Sequence, residues 1–353
     1  MTQVEPRVSI VVACRNESAH IHALLESIVQ QQWDNIFWEA ILADGMSTDG
    51  TRSAVQEYSS RHPQVRMVDN PERIVSTGLN RAIRAARGNI IVRMDAHTKY
   101  APDYCLRSLR ALESTGAANV GGPARTQAFD IRSRAVAAAY HSRFSTGGAH
   151  FHDTEFEGWV DTVPYGCWHK TTLEQLGLFD ETLVRNQDDE LNLRIVRSGG
   201  KIWQDPAIVS WYSPRPKLSS LFRQYFQYGF WKVVVIRKHR LPASWRHLVP
   251  ASFVLINAVL VTALLASMAM GSGMWTAIST ALWVALLASY SAALLLVSMM
   301  TASEAGWGTL PYLPAVFAAY HLSYGLGFLF GLRWLLVAPT SSRRESIFTS
   351  LTR

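Results

Sequence analysis

From Leu248 to Leu332 the chain carries no Lys, no Arg and a single acid, Glu304. A tract of this length with a single charge cannot form the surface of a water-soluble domain, so it constrains the fold before any other feature does. Three apolar stretches begin within it, 248–270, 275–300 and 311–337. Each is long enough to cross about 30 Å of hydrocarbon. Charge is dense and interspersed before Leu248, which predicts a soluble domain over 1–216 followed by a C-terminal α-helical transmembrane region over 248–353. Between them, 217–247 combines helical spacing, many aromatics and the basic group Arg237, Lys238, His239, Arg240 and Arg246. That composition suits an amphipathic interfacial helix and linker with membrane lipids as partners. The basic cluster marks the cytoplasmic face, so the chain reads as a multi-pass protein of the cell inner membrane with its soluble domain in the cytoplasm. Three crossings would place Arg343 and Arg344 on the opposite side, against the positive-inside tendency. Pro311 and Pro314 leave a broken or re-entrant last segment open.

The formal net charge of +7 does not point to nucleic acid, because the basic residues are scattered rather than gathered in one tract. Three cysteines, Cys14, Cys105 and Cys167, lack metal-type spacing and are an odd number, as expected of a reducing compartment. The apolar run in MTQVEPRVSIVVACRNE is too short for a signal peptide and reads as a first buried strand.

Strand and helix patterns then alternate. Strands are expected at Arg7–Ala13, Glu39–Ala43, Val65–Val68 and Asn89–Met94, and helices around Ile21–Ile28, Thr51–Arg61, Ser76–Arg87 and Pro102–Ser114. Gly88 reads as the residue that stops the third helix. This order predicts an α/β domain with a mainly parallel sheet covered on both faces, whose ligands bind at the carboxyl ends of the strands. The stretch Arg125–Glu157 shows little periodicity and reads as an irregular insert, either a lid or a plain crossover. A strand near Trp159–Val163, a helix near Thr172–Leu176 and a helix opening at Asp188 follow it.

Acidic groups stand at the predicted strand ends: Asp44-Gly-Met-Ser-Thr-Asp49-Gly after the second, Asp95-Ala-His97 after the fourth, and Asn186-Gln-Asp-Asp-Glu190 before a late helix. Singly, each has an ordinary explanation in a turn, a solvated loop or a helix N-terminus. Their order, each closing its own α/β unit, argues against coincidence. Together they offer what a sugar nucleotide requires: base and ribose contacts, a metal site for the diphosphate, and a carboxylate base.

The segments SIVVACRNE, ADGMSTDGT, NRAIRAARGNIIVRMDAH and NQDDELNLR together resemble family 2 glycosyltransferases with the GT-A fold, a Rossmann-like nucleotide-diphospho-sugar transferase architecture. The Asp-Ala-His variant, Tyr212-Ser-Pro-Arg215 and Gln224-Tyr-Phe-Gln-Tyr-Gly229 are similar to the succinoglycan-biosynthesis glucosyltransferase type. The resemblance implies that Glu17 and Asp44 hold the uracil and ribose of a UDP-sugar and that Asp95 contacts ribose and metal. It places His97 where most relatives have the second Asp of Asp-x-Asp. An imidazole ligand favours Mn²⁺ over Mg²⁺. Asp188 takes the place of the family's catalytic base, with Gln187 where relatives have Glu. Asp189 and Glu190 remain alternatives. Removal of that neighbouring charge predicts an Asp188 that ionises readily.

The same resemblance implies a single displacement with inversion. The expected reaction moves a hexose, glucose first, from UDP-sugar to a lipid-linked saccharide in exopolysaccharide or surface-glycan synthesis. Transfer directly onto polyprenyl phosphate or a glycolipid, and a non-catalytic nucleotide-sugar-binding subunit of a membrane assembly, are the other readings. Gln227-Tyr-Gly-Phe-Trp231 resembles the Gln-x-x-Arg-Trp segment of processive relatives but has Phe230 for Arg, which argues against polymer synthesis.

Overall fold

The computed structural model describes residues 5–215, 217–240 and 245–337. They divide into two compact units: one built from the residues up to Gln127 with Ala149–Ser213, the other from Ala128–Gly148 and the chain from Pro214 onward.

The first unit is an α/β sandwich. Its strands are β1 (Val8–Cys14), β2 (Trp38–Asp44), β3 (Val65–Asp69), β4 (Ile90–Asp95), β5 (Thr98–Tyr100), β6 (Asn119–Gly121), β7 (Arg125–Thr126), β8 (Gly158–Val160), β9 (Cys167–His169), β10 (Ile202–Gln204) and β11 (Ser210–Tyr212). Its helices are α1 (Ile21–Val29), α2 (Thr51–Arg61), α3 (Val75–Ala85) and α4 (Tyr104–Thr115), and, later in the chain, Lys170–Gln175 and Gln187–Arg197. Strand periodicity sorts the core onto two faces. Val8, Ile10 and Val12 pack with Ile21, Leu25 and Ile28 of α1, Val55 of α2 and Leu109 of α4. Val11, Ile41 and Ile91 point the other way, onto Leu79 and Ile83 of α3 and onto Leu191 and Ile195.

The main sheet has eight strands in the order β3-β2-β1-β4-β9-β6-β10-β8, and a second sheet has the order β5-β11-β7. The first four strands are parallel, as the sequence predicts. Beyond β4 the sheet is mixed, because β9 runs antiparallel to both β4 and β6. β9 is entered through a tight turn at Tyr165 (φ 60°) and Gly166 (φ 124°). A second difference lies at Gly88. The helix α3 already ends at Ala85, and Ala86 is extended. Glycine at 88 is required by close approach instead: a Cβ there would stand 2.7 Å from Ser9 Oγ and 2.9 Å from Ser9 N.

The second unit is helical. It begins with α5 (Ile131–His141) and α6 (Arg143–Thr146), inside the stretch expected to be irregular. A capping box between Asp130 and Ser133 starts α5, a signal hidden by its single-residue scale. With Lys170–Gln175 as α7 and Gln187–Arg197 as α8, the unit continues as α9 (Leu218–His239), α10 (Val249–Ala269), α11 (Gly273–Ala305) and α12 (Leu313–Val337). Ala135, Val136 and Ala139 of α5 pack with Leu313, Val316, Phe317 and Tyr320 of α12. Glycines bring α9 and α12 close, since a Cβ at Gly229 would lie 2.1 Å from Tyr324 O and one at Gly327 2.0 Å from Phe226 O. Gln227, Phe230 and Trp231 are buried within α9, with Phe230 against Phe330 and Trp334.

Among the described residues, three helices are long and apolar enough to cross a membrane, Trp245–Ala269, Gly273–Ala305 and Leu313–Leu336. The last is one continuous helix with Pro314 in its first turn, where proline is tolerated. Arg343 and Arg344 lie outside the described residues.

Candidate active site

The parallel register brings the predicted residues to one edge. Cys14 of β1 is level with Asp44 of β2, and Ala13 is level with Asp95 of β4. Asp44 and Asp95 are the last residues of their strands. Glu17 follows β1 in a loop stitched to the β2–α2 loop: Asn16 N donates to Ser47 Oγ (2.8 Å), Thr48 N to Asn16 Oδ1 (2.9 Å) and Glu17 N to Thr51 Oγ1 (2.8 Å). Asn16 and Met46 both adopt positive φ to make these turns. Asp49 serves this framework. The Thr51 hydroxyl, then the Thr51 and Ser18 amides, hold its carboxyl well below the usual range.

Asp44 is fully buried, and its Oδ2 accepts from Ser47 N (3.0 Å) and Arg52 (2.6 Å). Its Oδ1 is buried with no hydrogen-bond partner among the described residues. An unsatisfied buried carboxylate oxygen is costly, and a ligand N–H or O–H would satisfy it.

The remaining residues form one line of contacts. His97 Nδ1 is 3.3 Å from Glu17 Oε1 and its Nε2 is 3.2 Å from Asp95 Oδ1. Asp95 Oδ2 is 4.0 Å from Arg93, and Arg93 donates to Asp188 Oδ1. Asp95 N donates to the Tyr100 hydroxyl at 2.6 Å. Glu17, His97, Asp95, Arg93 and Asp188 are thus brought together, while Asp44 stands apart on the adjacent strand with Arg52. Asp95 and His97, whose side chains meet at 3.2 Å, could hold a cation, and among the described residues no group of three His, Cys, Asp or Glu forms a ready-made ligand cluster. A two-ligand set would leave positions for diphosphate oxygens and water, as a catalytic rather than structural metal requires.

Asp188 lies in the first turn of α8, where the helix dipole favours an anion. Burial pushes its carboxyl pKa up, Arg93 pulls it down, and Asp95 and Asp189 add to the rise. The net direction is upward, so the charge removed at Gln187 is outweighed by burial and by the other acids. Glu190 is fully buried and ion-paired with Arg194 at 2.8 Å, which binds it to helix packing. Asp188 reaches Arg93 and through it the Asp95 turn.

Sequence reasoning passed over Arg93, Tyr165 and Tyr100. Arg93 was visible only as the one charge in an apolar strand. Burial opposes its charge, and Asp188 and Asp95 more than compensate, holding it charged. The Tyr165 and Phe179 rings lie 5.8 Å from its guanidinium.

The family model described as Glycosyl transferase family 2 matches residues 9–167, which takes in Glu17, Asp44, Arg93, Asp95 and His97 but not Asp188. The succinoglycan biosynthesis protein ExoA of Rhizobium meliloti is 32% identical over 282 residues, covering 76% of this chain and 85% of that one. The chain belongs to glycosyl transferase family 2. This glycosyltransferase is also 27% identical, over 73% of its length and 82% of the relative's, to a dolichyl N-acetyl-α-D-glucosaminyl phosphate 3-β-D-2,3-diacetamido-2,3-dideoxy-β-D-glucuronosyltransferase of Methanococcus voltae. Among solved structures, the mannosyltransferase PcManGT from Pyrobaculum calidifontis, in complex with GDP-Man and Mn²⁺, has a TM-score of 0.60 at 22% identity. The match covers 91% of this chain and 88% of that one, and it establishes the GT-A fold for the family 2 enzyme.

Proposed function

We propose that this glycosyltransferase is an inverting enzyme that moves a hexose, with glucose the expected sugar, from a UDP-sugar to a lipid-linked saccharide in exopolysaccharide or surface-glycan synthesis. The observation that carries the reading is the contact line Glu17–His97–Asp95–Arg93–Asp188 at the strand ends, beside the unsatisfied Asp44. In this reading Glu17 and Asp44 hold base and ribose, Asp95 holds ribose and metal, and Asp188 is the base. Asp95 and His97 would hold a divalent cation, Mn²⁺ in preference to Mg²⁺ because one ligand is an imidazole. Bound there, the cation supplies Lewis-acid stabilisation of the departing diphosphate.

The acceptor hydroxyl attacks the anomeric carbon from the face opposite the nucleotide. A C–O bond forms as the bond to the diphosphate breaks, the electron pair leaves with the UDP, and the hydroxyl proton passes to Asp188. A base whose pKa is raised by burial accepts that proton more readily than an exposed carboxylate. The relative named for transfer onto dolichyl-linked N-acetylglucosaminyl phosphate supports a lipid-linked acceptor, and the ExoA match supports the glycan pathway. The three apolar helices would keep the site at the inner membrane, with the sheet unit in the cytoplasm, and make acceptor encounter a search over a surface.

Release of the nucleoside diphosphate by the detergent-purified chain, UDP from a panel of UDP-sugars or GDP from GDP-mannose, with Mn²⁺, Mg²⁺ or EDTA, tests this. The expected result is metal-dependent release from UDP-glucose, lost in Asp188→Asn. Turnover of GDP-mannose alone would replace the donor, and full activity in Asp188→Asn would remove the base.

A further inference from the structure

Arg93 is an anomaly in its strand. Its neighbours Ile90, Ile91, Val92 and Met94 are buried hydrophobics, and the Arg93 side chain is itself only 4% exposed. Burying a guanidinium costs several kcal/mol in desolvation, and a pair so buried contributes less to stability than apolar residues of similar size often do. Packing alone gives no reason for an arginine here.

Its surroundings hold it in one pose. Tyr165 and Phe179 stack about the guanidinium at 5.8 Å, and the Tyr165 hydroxyl is fixed to Thr98 Oγ1 at 2.6 Å. Phe179 is buried edge-on against Trp168. The backbone makes the same effort, since Tyr165 takes φ 60° and Asn186, just before α8, takes φ 61°. Such conformations are costly for side chains like tyrosine and persist where the surroundings impose them. The clamp ends on one atom: Arg93 bonds Asp188 Oδ1, while the Asp188 side chain stays 31% exposed.

We propose that Arg93 is a positioning residue for the transfer reaction, fixing the Asp188 carboxylate by one oxygen so that the other is aimed at the acceptor hydroxyl. The inference rests on Asp188 being the base. It differs from a role through the donor, which the 4.0 Å approach of Arg93 to Asp95 would otherwise suggest. Tethered through one nitrogen of a guanidinium that is itself held between two rings, the carboxylate keeps that oxygen in place when the acceptor arrives. Lysine would keep the charge and lose the fork.

The test is a double-mutant cycle in the full-length, detergent-purified chain, with Arg93→Gln and Arg93→Lys made alone and in the Asp188→Asn background. UDP release is measured with Mn²⁺ and a membrane lipid extract, using the donor turned over in the panel above, for which UDP-glucose is the expected probe. Arg93→Gln is expected to lower kcat about 100-fold, the order of loss from a misplaced reacting group, with donor KM within about twofold of wild type. Arg93→Lys should recover part of the rate, and neither change should lower the residual rate of Asp188→Asn. A raised donor KM with kcat preserved would move Arg93 to the donor side, and further loss on top of Asp188→Asn would show that it acts independently. Loss of folding in both Arg93 variants would assign the residue to the core. Each of these three results overturns the proposal while leaving the base in place. Full activity in Asp188→Asn alone would instead remove the base assignment itself.

Discussion

His97 Nδ1 lies 3.3 Å from Glu17 Oε1, so the loop after β1 and the turn after β4 meet at a single imidazole. The other ring nitrogen faces Asp95 at 3.2 Å, which makes His97 the hinge between the proposed base-binding carboxylate and the proposed metal ligand. His97→Ala is expected to raise the Mn²⁺ concentration for half-maximal UDP release on the order of tenfold or more, since even an outer partner of a metal site costs that much. His97→Asp, with an all-oxygen set, should shift the preference toward Mg²⁺. Metal titrations of wild type and both variants check this, and an unchanged Mn²⁺ to Mg²⁺ ratio in His97→Asp would argue that the imidazole is no ligand.

The strand-end carboxylates were legible because each closes a strand whose apolar run is unmistakable, and the parallel pairing then aligns them. Asp95 and Asp44 could be placed at one edge from periodicity alone. Arg93 could not, because its partner Asp188 is far along the chain and its clamp depends on Tyr165, whose positive φ no propensity predicts. The antiparallel β9 was hidden for a related reason: three residues, Cys167–His169, carry no period. The helix α5 was missed because its alanine-rich face, Ala135, Val136 and Ala139, is apolar without being bulky, and its partner α12 lies far away in sequence.

Glu39 couples fold stability to pH. It is buried in β2, where its carboxylate accepts from Ser9 Oγ at 2.8 Å, from Arg87 N at 2.6 Å and from Arg66 at 3.1 Å. Burial alone would raise its pKa, but the Arg87 amide, the Ser9 hydroxyl and Arg66 together bring it below the usual 4.5. A depressed folded-state pKa contributes stability above the unfolded value and loses it as pH falls through the folded one. Glu39→Gln should therefore destabilise the chain at about pH 7 by about 1–3 kcal/mol, the cost of leaving buried donors poorly paired. The gap to wild type should close as pH drops below 4.5. Unfolding in detergent across that range reads the effect, and a gap that widens on acidification would contradict the assignment.

Gly122 follows β6 where the chain passes the segment before β11. A Cβ at this position would fall 1.7 Å from Ile208 O, and backbone cannot yield as a side-chain tip does. Gly122→Ala is expected to cost upwards of about 2 kcal/mol through overpacking. By contrast, Gly50→Ala, whose nearest neighbour would be Ser18 Cβ at 3.8 Å, should be tolerated. Expression level and melting temperature compare the two, and equal stability would mean that the Ile208 strand entry can move.

The α10–α11 pair has little protein cover. Leu255, Ile256, Val259, Leu265 and Met268 of α10 and Leu282, Val284, Leu295 and Leu296 of α11 are all exposed. Leaving so many large apolar side chains in water would cost on the order of 1.5–3 kcal/mol each, so hydrocarbon is their natural solvent. At about 1.5 Å per residue, the 21 residues of α10 and 33 of α11 both exceed what the core of a bilayer requires. If the sheet unit lies in the cytoplasm, as proposed, α10 should carry the chain out and α11 should bring it back. Cysteine labelling reads this cleanly, because Cys14, Cys105 and Cys167 are all buried. In intact cells a membrane-impermeant maleimide should modify Met270→Cys and reach Glu304→Cys only after permeabilisation. The reverse pattern would place the sheet unit on the other side of the membrane, and labelling of both from one side would mean that the pair does not cross.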